Sequence, residues 1–287
     1  MKPPHNVSYL EKALRALAGT DELLVHLRRV LANVIAGQFL DGAVMRGGGS
    51  LKLRYGDRAT RYTMDFDASR KVAEDAFVER YNERLSKGWS LFSGRLVRNP
   101  KPSPRDIPSE YVMQPFEVKL TYKNHAWCTV DLEVSYDEVG DADECDLVAL
   151  PVGVLESFRA LGLPDPEPVP LMRISHQIAQ KLHGATDSQY CRAQDLIDLQ
   201  LMISREKVDY AEVRDICKRL FANRRRQPWP SKVVATEEWR IAYDRTKGIL
   251  PVLPTIDEAV AWANDLIDAI DKSKSTSEPS KKKGKAK

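Results

Sequence analysis

The 287-residue chain lacks several features that would place it in a special class of protein. No apolar run approaches the ~18 residues that are needed to cross a bilayer. The N-terminal residues lack the apolar segment and small-residue cleavage site of a secretory signal. The four cysteines are scattered and form neither a CxxC pair nor a zinc-type spacing with histidine. We therefore expect a globular, cytoplasmic protein with no membrane partner.

The balance of charge also excludes little. The chain has 44 Lys and Arg against 41 Asp and Glu, a formal net charge of +3. This excess is too small to indicate a nucleic-acid-binding protein by itself, although it collects in the C-terminal half. Hydrophobic residues make up 43% of the chain, and its length allows one large or two ordinary domains.

The periodicity of apolar residues predicts an α+β protein. Residues 8–38 have helical spacing and predict two helices, with Thr20 or Asp21 as the N-cap of the second. Short strands are predicted in "AVMR" and "TMDFD", and period-two strands in "WSLFSGRLV", "PFEVKLTY" and "AWCTVDLEVS", which together predict a mixed β-sheet with flanking helices. From about Pro151 the spacing is helical throughout.

These patterns divide the chain into three parts. We expect a sheet-containing domain at residues 1–150 and a helical domain at residues 151–272. Residues 273–287 are polar, lysine-rich and without pattern, which predicts a disordered tail. A solubilising role for this tail is favoured over a specific nucleic-acid-binding arm.

Two carboxylates stand one residue apart in "RYTMDFDAS". On a strand, Asp65 and Asp67 point to the same face, where two ionised carboxylates within ~5 Å repel each other. A divalent cation relieves this repulsion, and magnesium, which prefers oxygen ligands, is the natural candidate. A solvated strand end would produce the same pattern, so the pair alone leaves both interpretations open.

The neighbouring segments favour a phosphate-handling site. "RGGGS", residues 46–50, is a glycine turn between a strand and a helix, where backbone N–H groups can bind phosphate. In "VDLEVS", Asp131 or Glu133 supplies a third carboxylate from another strand. Such a cluster can hold two metal ions for an in-line phosphoryl displacement.

This order of motifs resembles the nucleotidyltransferase (DNA polymerase beta-like) superfamily, which has Gly-Gly-[Ser/Thr], a short helix, hDhDh on the next strand and a later carboxylate. The chain departs from the pattern because Gly49 stands where Ser or Thr is common and Ser50 follows it. The second half narrows the resemblance: "IAQKLHG" followed by "RAQDLIDL" resembles the AbiEii-type nucleotidyltransferase toxins, and the MenT toxins among them.

The resemblance implies a toxin of a toxin–antitoxin system with a nucleotidyltransferase fold. By position, it implies that Asp65 and Asp67 bind magnesium or manganese, that Lys181 contacts the triphosphate, and that Asp198 orients this lysine. Glu133 is the expected third metal ligand, with Asp131 as the alternative. The other residues that we expect near the NTP are Gly48, Gly49, Ser50, Lys52 and Thr63. Modification of Thr63 would block the site by adding negative charge.

The acceptor predicted from the second half is an RNA. Arg224, Arg225, Arg226 and Lys232 stand close to Trp229, and such cations bind backbone phosphates while an aromatic ring stacks on an unpaired base. The alternative is a solvated basic loop with Trp229 in the core. The resemblance implies that the 3′ end of tRNA receives nucleotides, often pyrimidines, which blocks aminoacylation and translation, and that a cognate antitoxin is a partner.

Two other functions stay open at the level of sequence. One is a nucleotidyltransferase that modifies a protein or small-molecule hydroxyl. The other is a non-catalytic nucleotide- or RNA-binding module. The sequence does not predict which NTP is used, which tRNAs are modified, or the oligomeric state.

Overall fold

The computed structural model describes residues 2–63, 65–103 and 112–274, in two compact units. The first unit extends to Arg173 and includes Gly248–Leu250; the second comprises Ile174–Lys247 and the described residues from Pro251 onward. The sequence analysis places the boundary at 150. The first unit extends further because the strand at Pro170–Met172 pairs with its sheet. The predicted tail at 273–287 lies almost wholly outside the described residues.

The first unit is built on a mixed sheet, as predicted. The order of its seven described strands is β3-β4-β5-β2-β1-β7-β6. The strands are β1 (Ala43–Arg46), β2 (Phe66–Arg70), β3 (Phe92–Arg98), β4 (Gln114–Tyr122), β5 (His125–Tyr136), β6 (Cys145–Leu147) and β7 (Pro170–Met172). Strand β2 lies in the middle, parallel to β5 and antiparallel to β1.

Helices pack on this sheet through its buried positions. They are α1 (Val7–Ala18), α2 (Asp21–Gly37), α3 (Gly47–Tyr55), α4 (Glu74–Lys87) and α5 (Val152–Ala160). Thr20 is the N-cap of α2, and its hydroxyl accepts a hydrogen bond from the Leu23 amide at 3.3 Å. Alternate residues of β4, from Phe116 to Tyr122, are buried, as period-two apolar spacing requires.

The second unit is helical, as the apolar spacing predicts. They are α6 (Ile174–Ala185), α7 (Ala193–Arg205), α8 (Tyr210–Arg224), α9 (Glu237–Lys247) and α10 (Ile256–Lys272). Thr255 and Glu258 form a reciprocal capping box that fixes the start of α10. Among the described residues, no helix is long and apolar enough to span a membrane.

Two boundaries near the glycines differ from the sequence prediction. The glycine run was predicted to be a turn, but Gly47 to Gly49 form the first turn of α3. Strand β2 begins at Phe66, so Asp65 lies just before the strand and only Asp67 is within it.

Candidate functional site

Carboxylates of the first unit lie on adjacent strands of the sheet. Asp67 is the register partner of Glu133 on β5 and of Arg46 on β1. Phe66 and its partner Leu132 are buried, so the pleat directs the flanking acids to the opposite face. Glu133 is exposed and Asp67 half-buried. The sheet therefore presents two carboxylates from neighbouring strands side by side.

Helix α3 begins against this acidic strand. Gly47 has a φ of +69°, and a Cβ built there would lie 2.8 Å from Asp67 Oδ2. A Cβ at Gly49 would collide with the carbonyl oxygen of Asp65. Only glycine combines that backbone conformation with so close an approach. The positive end of the α3 dipole consequently faces the carboxylates.

Asp65 is held by its neighbour Thr63. The Thr63 hydroxyl donates to Asp65 Oδ2 at 2.8 Å, and the Asp65 amide donates back to that hydroxyl at 3.3 Å. Thr63 is buried, whereas Asp65 is exposed. This local pairing fixes the direction of the Asp65 carboxylate where β2 begins.

A cavity of about 10 Å³ lies beside Thr63, between α2 and α3. Its lining includes Arg29, Asn33 and Lys52. Arg29 Nη1 and Asn33 Oδ1 are buried without hydrogen-bond partners. The cavity has room for about one water molecule, which could satisfy both atoms.

Two of the residues predicted to contact a nucleotide have internal partners. Ser50 is fully buried and its hydroxyl donates to the Gly47 carbonyl at 2.8 Å. Lys52 donates to Asp57 Oδ1 at 2.6 Å, and its ammonium lies 5.3 Å from the centre of the Tyr62 ring. In this structure both side chains support α3 and the turn that follows it.

The donor set of the acidic strands suits a hard cation. Within the described ranges, no three His, Cys, Asp or Glu side chains form a group that could hold a metal ion, so a three-carboxylate cluster is not preformed there. Magnesium is usually held by one or two carboxylates together with waters and substrate phosphates. The register pair of Asp67 and Glu133 meets this requirement with oxygen ligands alone.

The second unit contains a buried cluster around Lys181. Its ammonium donates to Asp195 Oδ1 at 2.8 Å and to Asp198 Oδ2 at 2.7 Å. Arg192 Nε donates to the other oxygen of Asp195 at 2.7 Å. Burial alone would raise the pKa of Asp195, but the charges of Lys181 and Arg192 outweigh it and lower that pKa. The two cations of the cluster, Lys181 and Arg192, thus face two carboxylates, Asp195 and Asp198.

The sequence patterns assign no role to Asp195. A signal was present in Gly184, three residues after Lys181. A Cβ there would lie 2.7 Å from Asp195 Oδ2, so the glycine allows α6 and α7 to approach closely. This contact depends on how the two helices pack, which helical periodicity does not specify.

The basic segment after α8 is partly neutralised. Arg226 Nε lies 2.9 Å from Asp187 Oδ2, and Arg224 Nη1 lies 3.3 Å from His183 Nδ1. Arg225 and Lys232 are exposed. Trp229 is half-buried; its Nε1 donates to Asp271 Oδ1 at 3.1 Å and its ring packs against Phe221. Trp229 thus has internal contacts but is not fully buried in the core, where the alternative interpretation places it.

Comparison with known proteins adds a family and a fold. Residues 29–265 match the family model described as "Nucleotidyl transferase AbiEii toxin, Type IV TA system". Among solved structures, the nucleotidyltransferase toxin MenT4 of Mycobacterium tuberculosis is similar at 16% identity, with a TM-score of 0.56, over 92% of this chain and 90% of that one. The JHP933 protein of Helicobacter pylori is 16% identical, with a TM-score of 0.42, over 86% and 91% of the two chains. No curated protein sequence matches the chain.

Proposed function

The chain belongs to the AbiEii nucleotidyltransferase toxin family, and we propose that it is a metal-dependent enzyme that adds nucleotides from an NTP to the 3′ end of tRNA. Pyrimidine nucleotides are the proposed donors, and the modified tRNA could no longer be aminoacylated. The observation that supports this most directly is the register pair of Asp67 and Glu133 beside the glycine start of α3. The type IV toxin–antitoxin description of the family supports a cognate antitoxin as partner.

In this proposal the acids and the glycines handle the triphosphate. Asp65, Asp67 and Glu133 would hold magnesium or manganese, which when bound polarises the α-phosphate and neutralises charge on the β- and γ-phosphates. The N-terminus of α3, at Gly48 and Gly49, would bind phosphate oxygens through its backbone N–H groups. Ser50, Lys52 and Thr63 would support this binding from behind the helix start.

The reaction is a substitution at the α-phosphorus. The 3′-hydroxyl oxygen of the RNA forms a bond to phosphorus while the α–β bridging bond breaks, which releases pyrophosphate and a proton. Lys181 would neutralise charge on the triphosphate and on the departing pyrophosphate. Asp195 and Asp198 hold its ammonium at 2.8 and 2.7 Å, which fixes a flexible side chain before substrate binds.

The test is to incubate the purified protein with tRNA, magnesium and each labelled NTP in turn. We expect labelled tRNA with at least one pyrimidine nucleotide, and none with the Asp67→Asn variant. Labelling of protein instead of RNA would favour a protein acceptor. The absence of labelled RNA with all four NTPs would reject the proposal.

A further inference from the structure

The turn between α6 and α7 presents an aromatic ring to solvent. Tyr190 is 42% exposed, and the guanidinium of Arg226 lies 5.7 Å from the centre of its ring. An exposed aromatic ring beside a cation offers a stacking surface to any unpaired base. Trp229 does not offer its ring in the same way because it packs against Phe221.

A buried histidine lies among the arginines next to this ring. His183 is only 3% exposed, and burial together with the charges of Arg224, Arg226 and Arg192 lowers its pKa to about 3. The imidazole is therefore neutral at physiological pH. If Nδ1 accepts from Arg224, the ring proton is on Nε2, and that atom is buried without a hydrogen-bond partner.

We propose that Tyr190, with Arg192, Arg224 and Arg226, is the docking surface for the unpaired 3′ end of the acceptor RNA. A terminal base stacks on Tyr190, and backbone phosphates pair with the guanidinium groups, which match phosphate geometry. This inference rests on the proposed function and names the residues that receive its acceptor.

Arg192 connects the docking surface to the lysine cluster. Arg192 donates a hydrogen bond to Asp195, and Asp195 also accepts one from the Lys181 ammonium. A phosphate at Arg192 competes with Asp195 for the same guanidinium. RNA docking therefore changes the environment of the lysine that is proposed to contact the triphosphate.

The experiment measures binding without NTP or metal, so that it does not depend on catalysis. Fluorescence anisotropy compares an intact tRNA with the same tRNA from which the unpaired 3′ nucleotides have been removed. Tyr190→Ala should weaken binding of the intact tRNA about tenfold, the effect of losing one stacked base. Tyr190→Phe should keep wild-type affinity. Tyr9→Ala, at another exposed tyrosine beside a cation, is the matched control and should change nothing.

The loss of affinity from Tyr190→Ala and the loss from removing the unpaired 3′ nucleotides should not add. Because Tyr190 contacts the removed nucleotides, Tyr190→Ala should have no further effect on the shortened tRNA. Equal weakening on both RNAs, or wild-type affinity of Tyr190→Ala for intact tRNA, would overturn the inference. Thermal unfolding of each variant checks the fold. Tyr190-dependent binding without any labelling of RNA would support the docking surface while rejecting the proposed transfer.

Discussion

At the scale of single residues, strand pairing gives Asp131 and Glu133 different neighbours. Glu133 is the register partner of Asp67. Asp131 is also exposed, but its carboxylate lies 3.8 Å from Arg29 Nη2, which compensates its charge. Strand alternation places both acids on one face and cannot tell them apart. The pairing of β2 with β5 favours Glu133 as the third carboxylate.

We expect Glu133→Gln to reduce nucleotide transfer by ~100-fold or more, because even the loss of an indirect metal contact costs 10–100-fold. Asp131→Asn should stay within about threefold of wild type, since exposed ion pairs contribute little. Initial rates of labelled NTP incorporation measure both. Both side chains are exposed, and unfolding curves should show little change. If Asp131→Asn lost more transfer activity than Glu133→Gln, Asp131 would be the third carboxylate instead.

Asp57 gives a residue-scale prediction about stability. Burial would raise the pKa of its carboxyl, but hydrogen bonds from His26 and Lys52 outweigh this and lower the pKa to about 2. An unfolded aspartate has a pKa of ~3.9. The stability that Asp57 contributes is therefore complete above pH ~4 and is lost as the pH falls towards 2.

Asp57→Asn should flatten the decline in stability between pH ~4 and 2. Urea denaturation at a series of pH values measures this slope. Asp268→Asn, at an exposed helical pair with Lys272, serves as control and should keep the wild-type slope. A wild-type slope in Asp57→Asn would show that the native contacts do not lower this pKa.

At the scale of elements, prediction succeeded where a pattern was long. Helices α6 to α10 each repeat apolar residues over several turns, and burial of one face requires that repeat. Strands β6 and β7 have three residues each, too few to show a period. Helix α3 begins in glycines, which have poor helix propensity, and these glycines lie close against Asp65 and Asp67. Such contacts join distant elements, so no local pattern shows them.

A substitution at the start of helix α3 therefore tests how closely the candidate site is packed. Gly49→Ala would drive a Cβ into the Asp65 carbonyl, and backbone must move. We expect a loss of ~1–3 kcal/mol of stability from overpacking. Displacement of Asp65 by even 1 Å should cost ~100-fold in transfer rate.

Gly153→Ala is the matched helical control, because a Cβ there has nothing within 4 Å. It should stabilise α5 by ~0.5–1 kcal/mol and leave the transfer rate unchanged. Chemical denaturation and initial rates measure both variants. A fully active Gly49→Ala would show that the position of Asp65 tolerates movement at the start of α3.

At the scale of the whole molecule, the sequence predicted the family better than the substrate. Short motifs in both halves carry the resemblance to the family, and the family model matches residues 29–265. In the proposed reaction, the choice of base and of tRNA would depend on the shape and charge of surfaces, which short motifs do not encode. With a net charge of only +3, attraction to RNA must come from local concentrations of charge.

The salt dependence of tRNA binding tests whether the positive charges after α8 attract the RNA. Arg225 and Lys232 are exposed after α8, and each phosphate contact releases counterions from the RNA. Arg225→Gln and Lys232→Gln should each reduce the slope of log K against log salt by ~1, and the double variant by ~2. Lys87→Gln, at an exposed pair with Glu83 on α4, should leave the slope unchanged. If Arg225→Gln, Lys232→Gln and the double variant all kept the wild-type slope, the RNA would bind to another surface. A charge that contacts no phosphate releases no counterions and does not change the slope.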